Sequence, residues 1–326
     1  GASMKPGILV SRHVFPEAIE ILEPVAEIQY HDSSTGLTPE ELRAAIVGKQ
    51  AVVCQLTDRI DAAFMDSGSD LKVIANVAVG FDNIDIPAAT ERGIVVTNTP
   101  GVLTDTTADL AFSLMVSAAR RICEADRFLR AGRWQQWEID MMTGHDIYGH
   151  TLGIYGLGRI GQGMARRASG FDMRVIYHDA MRATAEQEAE WGVEYVDRET
   201  LFRESDFLSV HVPLNEQTRH AVGKEEFALM KQNAVLVNTS RGPVVDEKAL
   251  ADALEQGQIA SAGLDVFEQE PVVEPRLLAL ENIVLVPHIG SASIKTRTRM
   301  CTMAAQNAAA VLAGQRPANP VNPEVL

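Results

Sequence analysis

Cysteine is scarce: Cys54, Cys123 and Cys301 are the only three in 326 residues, far apart and odd in number. Neither a disulfide framework nor a zinc site is expected, and a reducing, cytoplasmic setting fits best. Long apolar runs are also lacking. No uninterrupted stretch approaches the roughly 18 residues of a membrane-spanning helix, so no membrane partner is expected. Basic residues are outnumbered 29 to 44, a formal net charge of −15. Such a surface repels phosphate backbones and anionic bilayers, which argues against nucleic acid as a partner. An anionic small molecule then needs local positive charge, so single arginines in loops become informative. The opening Gly1-Ala2-Ser3-Met4 has no signal-peptide pattern and reads as a cloning remnant before a natural Met4.

Apolar material is plentiful enough, at 46%, for packed cores. The length suggests about two domains of roughly 150 residues. From Gly7 to about Val96, β-branched runs alternate with helical patterns. Strands are expected at Gly7–Val10, Val25–Gln29, Ala51–Cys54, Lys72–Ala75 and Ile94–Val96, with helices at Phe15–Leu22, Thr38–Ile46, Asp61–Met65 and Asp85–Arg92. Pro16 and Pro39 suit helix N-termini. Such alternation implies a parallel sheet covered on both faces. After Thr99-Pro100-Gly101 a single long helix is expected from about Thr104 to Leu129. Leu110, Ala111, Leu114, Met115, Ala118 and Ile122 give it one broad apolar face, either joining domains or forming a dimer seam. A second series starts at Leu152, with strands expected at Leu152–Tyr155, Arg174–His178, Val193–Val196, Phe207–His211, Ala234–Asn238, Ala260–Val266 and Ile283–Val286. A last helix, about Ile294–Ala313, precedes a proline-rich tail.

The run Gly156-Leu157-Gly158-Arg159-Ile160-Gly161 is a G-x-G-x-x-G between an apolar strand and a helical pattern. Its glycines permit a tight turn and close approach of a pyrophosphate to the helix N-terminus. Asp179 ends the next strand, 18 residues after Gly161. A carboxylate there can accept bonds from both adenosine ribose hydroxyls and repel a 2′-phosphate. NAD is therefore expected, with NADP left open by nearby Arg182.

Ligands of open α/β sheets sit beyond the carboxyl ends of the strands. Arg241, Glu270 and His288 each follow such an end. Reduction of a ketone by hydride needs a proton donor, which an imidazole supplies near neutral pH. Glu270 can orient His288 and favour its charged form. Arg241 can grip a substrate carboxylate with two bonds and polarise the carbonyl. Each residue alone has an ordinary explanation: a solvated loop arginine, a turn glutamate, a histidine capping a buried carbonyl. Their shared location beside a dinucleotide site is what argues for chemistry. His211, with Val212 in the apolar stretch Ser209–Leu214, is expected to help line the cofactor pocket.

These residues carry a resemblance. The chain resembles the D-2-hydroxyacid dehydrogenase family, most closely its glyoxylate/hydroxypyruvate reductases. The similarity includes Asn76–Asp85, Thr97–Phe112, Gly156–Gly161, Asn238–Asp246, Gly263–Pro271 and Pro287–Ser291. It implies two doubly wound parallel-sheet α/β domains. A Rossmann cofactor domain (101–289, with a dimerisation helix) would be inserted in a flavodoxin-like substrate domain (4–100 and 290–326). The site would lie in a cleft that closes on binding, and the protein would be a homodimer. The resemblance makes Arg241, Glu270 and His288 catalytic. It assigns Val79 and Gly80 N–H groups to the substrate carboxylate, with Leu56 and Ser291 flanking the substrate. Asp265 would bond the nicotinamide carboxamide, and Thr107, Pro213, Thr218, Thr239 and Ser240 would line the cofactor. Met141 stands near a position where several such reductases carry tryptophan, which leaves the substrate size limit open.

Gln55-Leu56-Thr57-Asp58 offers no cation for a phosphate, and Asp58 is expected to repel one. Little chain follows the last helix, so no regulatory domain is expected. The expected function is NAD-dependent reduction of glyoxylate or hydroxypyruvate to the D-2-hydroxy acid, with His288 as proton donor. The alternatives are a 2-ketogluconate or other 2-oxo acid reductase, or an NAD-sensing corepressor-like binding protein. No metal is expected.

Overall fold

A computed structural model describes residues 4–326; the Gly1-Ala2-Ser3 run read as a cloning remnant lies outside them. The chain forms two compact units. One is drawn from the stretch up to Leu103 and from Ala292 onward, the other spans Thr104–Ser291.

The first unit holds five parallel strands: β1 (Gly7–Val10), β2 (Glu27–Tyr30), β3 (Ala51–Cys54), β4 (Val73–Asn76) and β5 (Val95–Thr97). Their order is β2-β1-β3-β4-β5, the flavodoxin-like doubly wound order. Central β3 and β4 are buried at every residue, whereas edge strand β2 alternates, as two-sided coverage requires. Alternate residues of β1 point to opposite faces. Ile8 and Val10 meet Ala304, Ala305 and Ala308 of the last helix, Ile294–Leu312, while Leu9 meets Leu42 and Phe64. Pro16 and Pro39 both open helices, the second with a Thr38–Glu41 capping box. The proline-rich tail is pinned rather than loose. Asn322 accepts from Val96 N–H at 2.8 Å and donates to the Ile94 carbonyl at 2.9 Å.

The second unit holds seven parallel strands: β6 (Thr151–Tyr155), β7 (Arg174–His178), β8 (Glu194–Tyr195), β9 (Phe207–Val210), β10 (Val235–Asn238), β11 (Ser261–Leu264) and β12 (Ile283–Leu285). The order β12-β11-β10-β9-β6-β7-β8 is the Rossmann order with one further strand beyond the sixth, and it reverses between β6 and β9. Strand boundaries fall within one or two residues of the sequence expectation.

The single long helix is a correction. It is two helices, Thr104–Ala119 and Ile122–Arg130, because Arg121 takes the left-handed conformation at φ 56°. That residue's guanidinium bonds Glu124 and the Thr143 carbonyl, which holds the break in place. The apolar face of the first helix lies inside this unit, where Ala108, Ala111, Leu114 and Met115 pack with Leu152 and Ile154. Among the described residues no helix is long and apolar enough to cross a membrane.

Candidate active site

At the reversal of strand order, β6 runs straight into the glycine loop. Gly156 has φ 96°, and a Cβ there would sit 2.8 Å from the His211 main chain. Only glycine fits both the conformation and the approach. The helix Arg159–Ser169 follows, with Gly158 as its N-cap and no side chain capping its first N–H groups. Open space lies where a Gly158 Cβ would be. Unpaired N–H groups, a helix N-terminus and an empty cradle together fit a pyrophosphate. Arg159 and Ile160 form the first turn of that helix.

Asp179 stands directly beyond β7. Its carboxylate accepts from Leu157 N–H at 2.7 Å and from Met181 N–H at 3.0 Å, so it braces the glycine loop as well as facing it. Arg182, the cation that left NADP open, pairs with Glu188 at 3.1 Å and lies over the Tyr195 ring. We expect Asp179→Ala to cut the NADH-over-NADPH preference in kcat/KM by about tenfold or more, since like charges in contact cost several kcal/mol. It should also raise the KM for NADH through the slackened loop. Kinetics with both coenzymes checks this; an unchanged ratio would remove Asp179 from ribose recognition.

Other candidate lining residues lie in the helix Thr104–Ala119 and beyond β9 and β10. Thr107, buried, donates to the Gly290 carbonyl at 3.2 Å. His211 bonds Ser209 through Nε2 at 2.6 Å, and burial pushes its pKa down to about 4, which leaves it neutral at pH 7. Val212 is buried; Pro213 is exposed and its carbonyl accepts from Thr218 Oγ at 2.6 Å. Thr239 Oγ is buried without a partner, the kind of orphan a ligand satisfies.

The candidate reactive groups sit where the register puts them. Asn238 of β10 pairs with Leu264 of β11, and Leu264 with Leu285 of β12. The three strands therefore end level, and Arg241, Glu270 and His288 emerge from adjacent turns. Buried Asn238 shapes the first turn: its oxygen accepts from Ser240 N–H and Oγ at 3.0 Å, and its amide donates to the Arg241 carbonyl at 3.0 Å. Gly242 then packs so closely on the Phe267 carbonyl that no side chain fits there. Arg241 itself is exposed and makes no ion pair with a carboxylate among the described residues.

Glu270 accepts from Phe267 N–H at 3.1 Å through one oxygen and meets His288 Nδ1 at 2.9 Å through the other. Burial pushes the Glu270 carboxyl up, but the His288 hydrogen bond and the charges of His288 and Arg241 outweigh it, leaving it below its ordinary value. His288 is raised above its ordinary value of 6.5, first by the Glu270 hydrogen bond, against burial, with the charges of Glu270 and Asp265 assisting and that of Arg241 opposing. Arg241 is thus close enough for both partners to feel its charge. With Nδ1 taken, Nε2 of His288 is the ring nitrogen left for a ligand.

His288 has φ 53°, a conformation that costs a non-glycine residue about 1–2 kcal/mol. Asp265, buried, holds it there by accepting from Ile289 N–H at 2.6 Å and Gly290 N–H at 2.9 Å. Hydrogen bonds to a charged acceptor contribute about 1.5–3 kcal/mol each, enough to offset the strain. Burial raises the Asp265 pKa, against those two bonds. Asp265, given to the nicotinamide by resemblance, is here first a support for the histidine turn, which ends at half-buried Ser291.

In the first unit, Val79 and Gly80 follow β4. Their carbonyls accept from Asn98 and Asn76, while their N–H groups make no main-chain hydrogen bond among the described residues. Leu56 is about half exposed, at 49%. Asp58 corrects the sequence reading. It is buried, its carboxylate turned inward to Ser11 Oγ at 2.5 Å and Gln55 N–H at 2.9 Å, and is not presented to a ligand. Asn238 and Asn76 were passed over as site residues; each is an asparagine ending a buried strand, the signal that a side chain is organising the turn beyond.

A sequence model described as the NAD-binding domain of D-isomer specific 2-hydroxyacid dehydrogenases matches residues 112–290. The chain is 50% identical over 325 residues to a glyoxylate reductase of Korarchaeum cryptofilum, covering 99% of this chain and 98% of that protein. The structure of a glyoxylate reductase from Paecilomyes thermophila superposes with a TM-score of 0.84 at 34% identity, covering 98% of this chain and 99% of that one. An NADPH-dependent glyoxylate/hydroxypyruvate reductase of Sinorhizobium meliloti, solved with citrate, gives 0.82 at 34% identity, covering 97% and 98%.

Proposed function

We propose that this chain, which belongs to the D-isomer specific 2-hydroxyacid dehydrogenases, uses NADH to reduce glyoxylate or hydroxypyruvate with His288 as the proton donor. It is an NAD(P)H-dependent oxidoreductase of 2-oxo acids. The observation that carries the finer reading is the Glu270–His288 pair beside Arg241, whose guanidinium bonds the Ser240 carbonyl and no carboxylate among the described residues. The family's relatives named above are glyoxylate reductases, which favours that substrate. Preference for NADH rests on Asp179 and on the engagement of Arg182 with Glu188.

The glycine loop and the first turn from Gly158 would hold the pyrophosphate, and Asp179 the adenosine ribose. When bound, the coenzyme supplies a hydride for the carbonyl carbon. Arg241 holds the substrate carboxylate and draws electron density toward the carbonyl oxygen. His288 delivers the Nε2 proton to that oxygen as the carbon–oxygen π pair moves onto it. Glu270 keeps the ring oriented and stabilises the imidazolium before transfer. Val79 and Gly80 of the first unit are proposed carboxylate contacts on their unpaired N–H groups, with Leu56 and Ser291 flanking the substrate. NADH loss with glyoxylate, hydroxypyruvate and 2-ketogluconate side by side tests the substrate. Turnover with the first two supports the proposal; tight NADH binding without turnover of any 2-oxo acid supports a sensor instead.

We also propose a cytoplasmic homodimer. The three cysteines are free, in keeping with a reducing compartment. Residues 131–140 form no helix or strand and are exposed throughout, with Trp134, Trp137 and Ile139 at 55%, 75% and 80%. Large apolar side chains left to water so close together support an interface here. Light scattering should give twice the 35.4 kDa chain mass, and Trp137→Glu should shift it toward one chain; a wild-type monomer would contradict the proposal.

A further inference from the structure

We propose that His220 is a positioning residue for this reaction: its imidazole hydrogen-bonds Glu268 while its main chain bonds the turn after Arg241, and so it fixes together the turns that carry Arg241 and Glu270. The inference rests on the roles given above to Glu270 and His288. His220 lies outside every motif assigned to catalysis, in a turn where it takes φ 51°. Its Nε2 hydrogen-bonds Glu268, and its Nδ1 lies 3.8 Å from Asp246. His220 is exposed while Asp246 and Glu268 are partly buried, and their polar atoms lie within 4.8 Å of one another.

Each contact leads toward the reactive groups. His220 N–H donates to the Pro243 carbonyl at 2.7 Å, and Val222 N–H to the Val244 carbonyl at 3.0 Å, so the main chain here lies along the Gly242–Val244 turn directly after Arg241. Asp246 N–H returns to the Val222 carbonyl at 3.0 Å, and Asp246 caps the helix Glu247–Glu255. On the other side, Glu268 is tied to that helix twice. Its N–H donates to Glu247 Oε2 at 2.9 Å, and its own Oε2 accepts from Glu247 N–H at 3.3 Å. One residue before it, Phe267 N–H holds Glu270, which holds His288. Glu268 and Glu270 thus leave one turn toward different partners. The first anchors the turn to the Arg241 side through His220, and the second aims the imidazole that donates the proton. A half-exposed polar contact contributes little to stability; what this one sets is the distance between a guanidinium and a carboxylate.

The test compares His220→Ala, His220→Gln, Glu268→Ala and Glu268→Gln with the wild type in kcat, KM, NADH dissociation constant and the pH profile of 2-oxo acid reduction. The alanine variants should lose about tenfold in kcat, inside the roughly hundredfold that an ångström of misplacement costs. The glutamines keep a donor or acceptor and should recover most of it. NADH binding and the melting temperature should barely move. His288 is faced by Glu270, Asp265 and Arg241; with Glu270 slackened, the fall of rate with rising pH should begin at lower pH in the alanine variants. Wild-type kcat and pH profile in both alanine variants would overturn the proposal. So would equal losses in alanine and glutamine variants with an unmoved profile, which is a folding defect, or an EDTA-treated wild type that copies the alanine defect, which is a metal site. If His288→Ala keeps its turnover, the reading of His288 fails first and this proposal falls with it.

Discussion

Replacing His288 with alanine should lower kcat for 2-oxo acid reduction about a thousandfold, within the roughly 10²–10⁴ that a positioned general acid contributes, while NADH still binds. The basis is a division of labour on one ring. Nδ1 is committed to Glu270 at 2.9 Å, so the ring cannot turn, and Nε2 alone is left to reach a ligand. His211, the other imidazole read into the site, does not take over, because burial pushes it down to about 4 and leaves it without the proton to give. Stopped-flow turnover with NADH fluorescence titration separates chemistry from binding. A variant that turns over like wild type would remove His288 from proton transfer. One that also fails to bind NADH would show that the histidine turn, held by Asp265, supports the coenzyme rather than the substrate.

Arg241→Ala should lower kcat/KM for the 2-oxo acid by about a thousandfold, through both a higher KM and a lower kcat, because bidentate charge-assisted bonds orient the carbonyl as well as hold the carboxylate. The guanidinium is exposed and unpaired with any carboxylate among the described residues, so its removal strands no buried charge, and stability should be unaffected. Arg241→Lys separates charge from geometry. A lysine supplies a point charge without the planar fork and should recover about tenfold at most. Lysine equal to arginine would reduce the role to general attraction. The net charge of −15 gives this arginine its weight, since an anionic substrate needs local positive charge to bind such a surface.

Strand ends and loop motifs were legible because they depend on neighbours in sequence. The parallel β-α-β alternation, the glycine loop after β6 and the acid after β7 each follow from local patterns read over a few residues. That Arg241, Glu270 and His288 share one sheet edge follows from strands ending level, which the pattern also implies. The helix break at Arg121 was not legible. The apolar periodicity continues across it, and a contact to Thr143, 22 residues away, holds it. Asp58 was misread because composition says nothing of which way a carboxylate turns; Ser11, 47 residues back, draws it inward. His220 and Glu268 lie 48 residues apart and meet only once both turns are folded.

The central claim is that a proton on His288, held there by Glu270, is the one the substrate receives. Its most direct test is the pH dependence of 2-oxo acid reduction and of D-2-hydroxy acid oxidation, in wild type and in Glu270→Gln. Reduction needs the imidazolium, so its rate should fall as pH rises through a pKa above 6.5, and oxidation, which needs the neutral ring, should rise through a matching one. Removing the carboxylate takes away the largest raising influence and leaves burial, so both limbs should move to lower pH. Limbs that are absent, that lie below 6.5 in the wild type, or that stay put in Glu270→Gln would contradict the account.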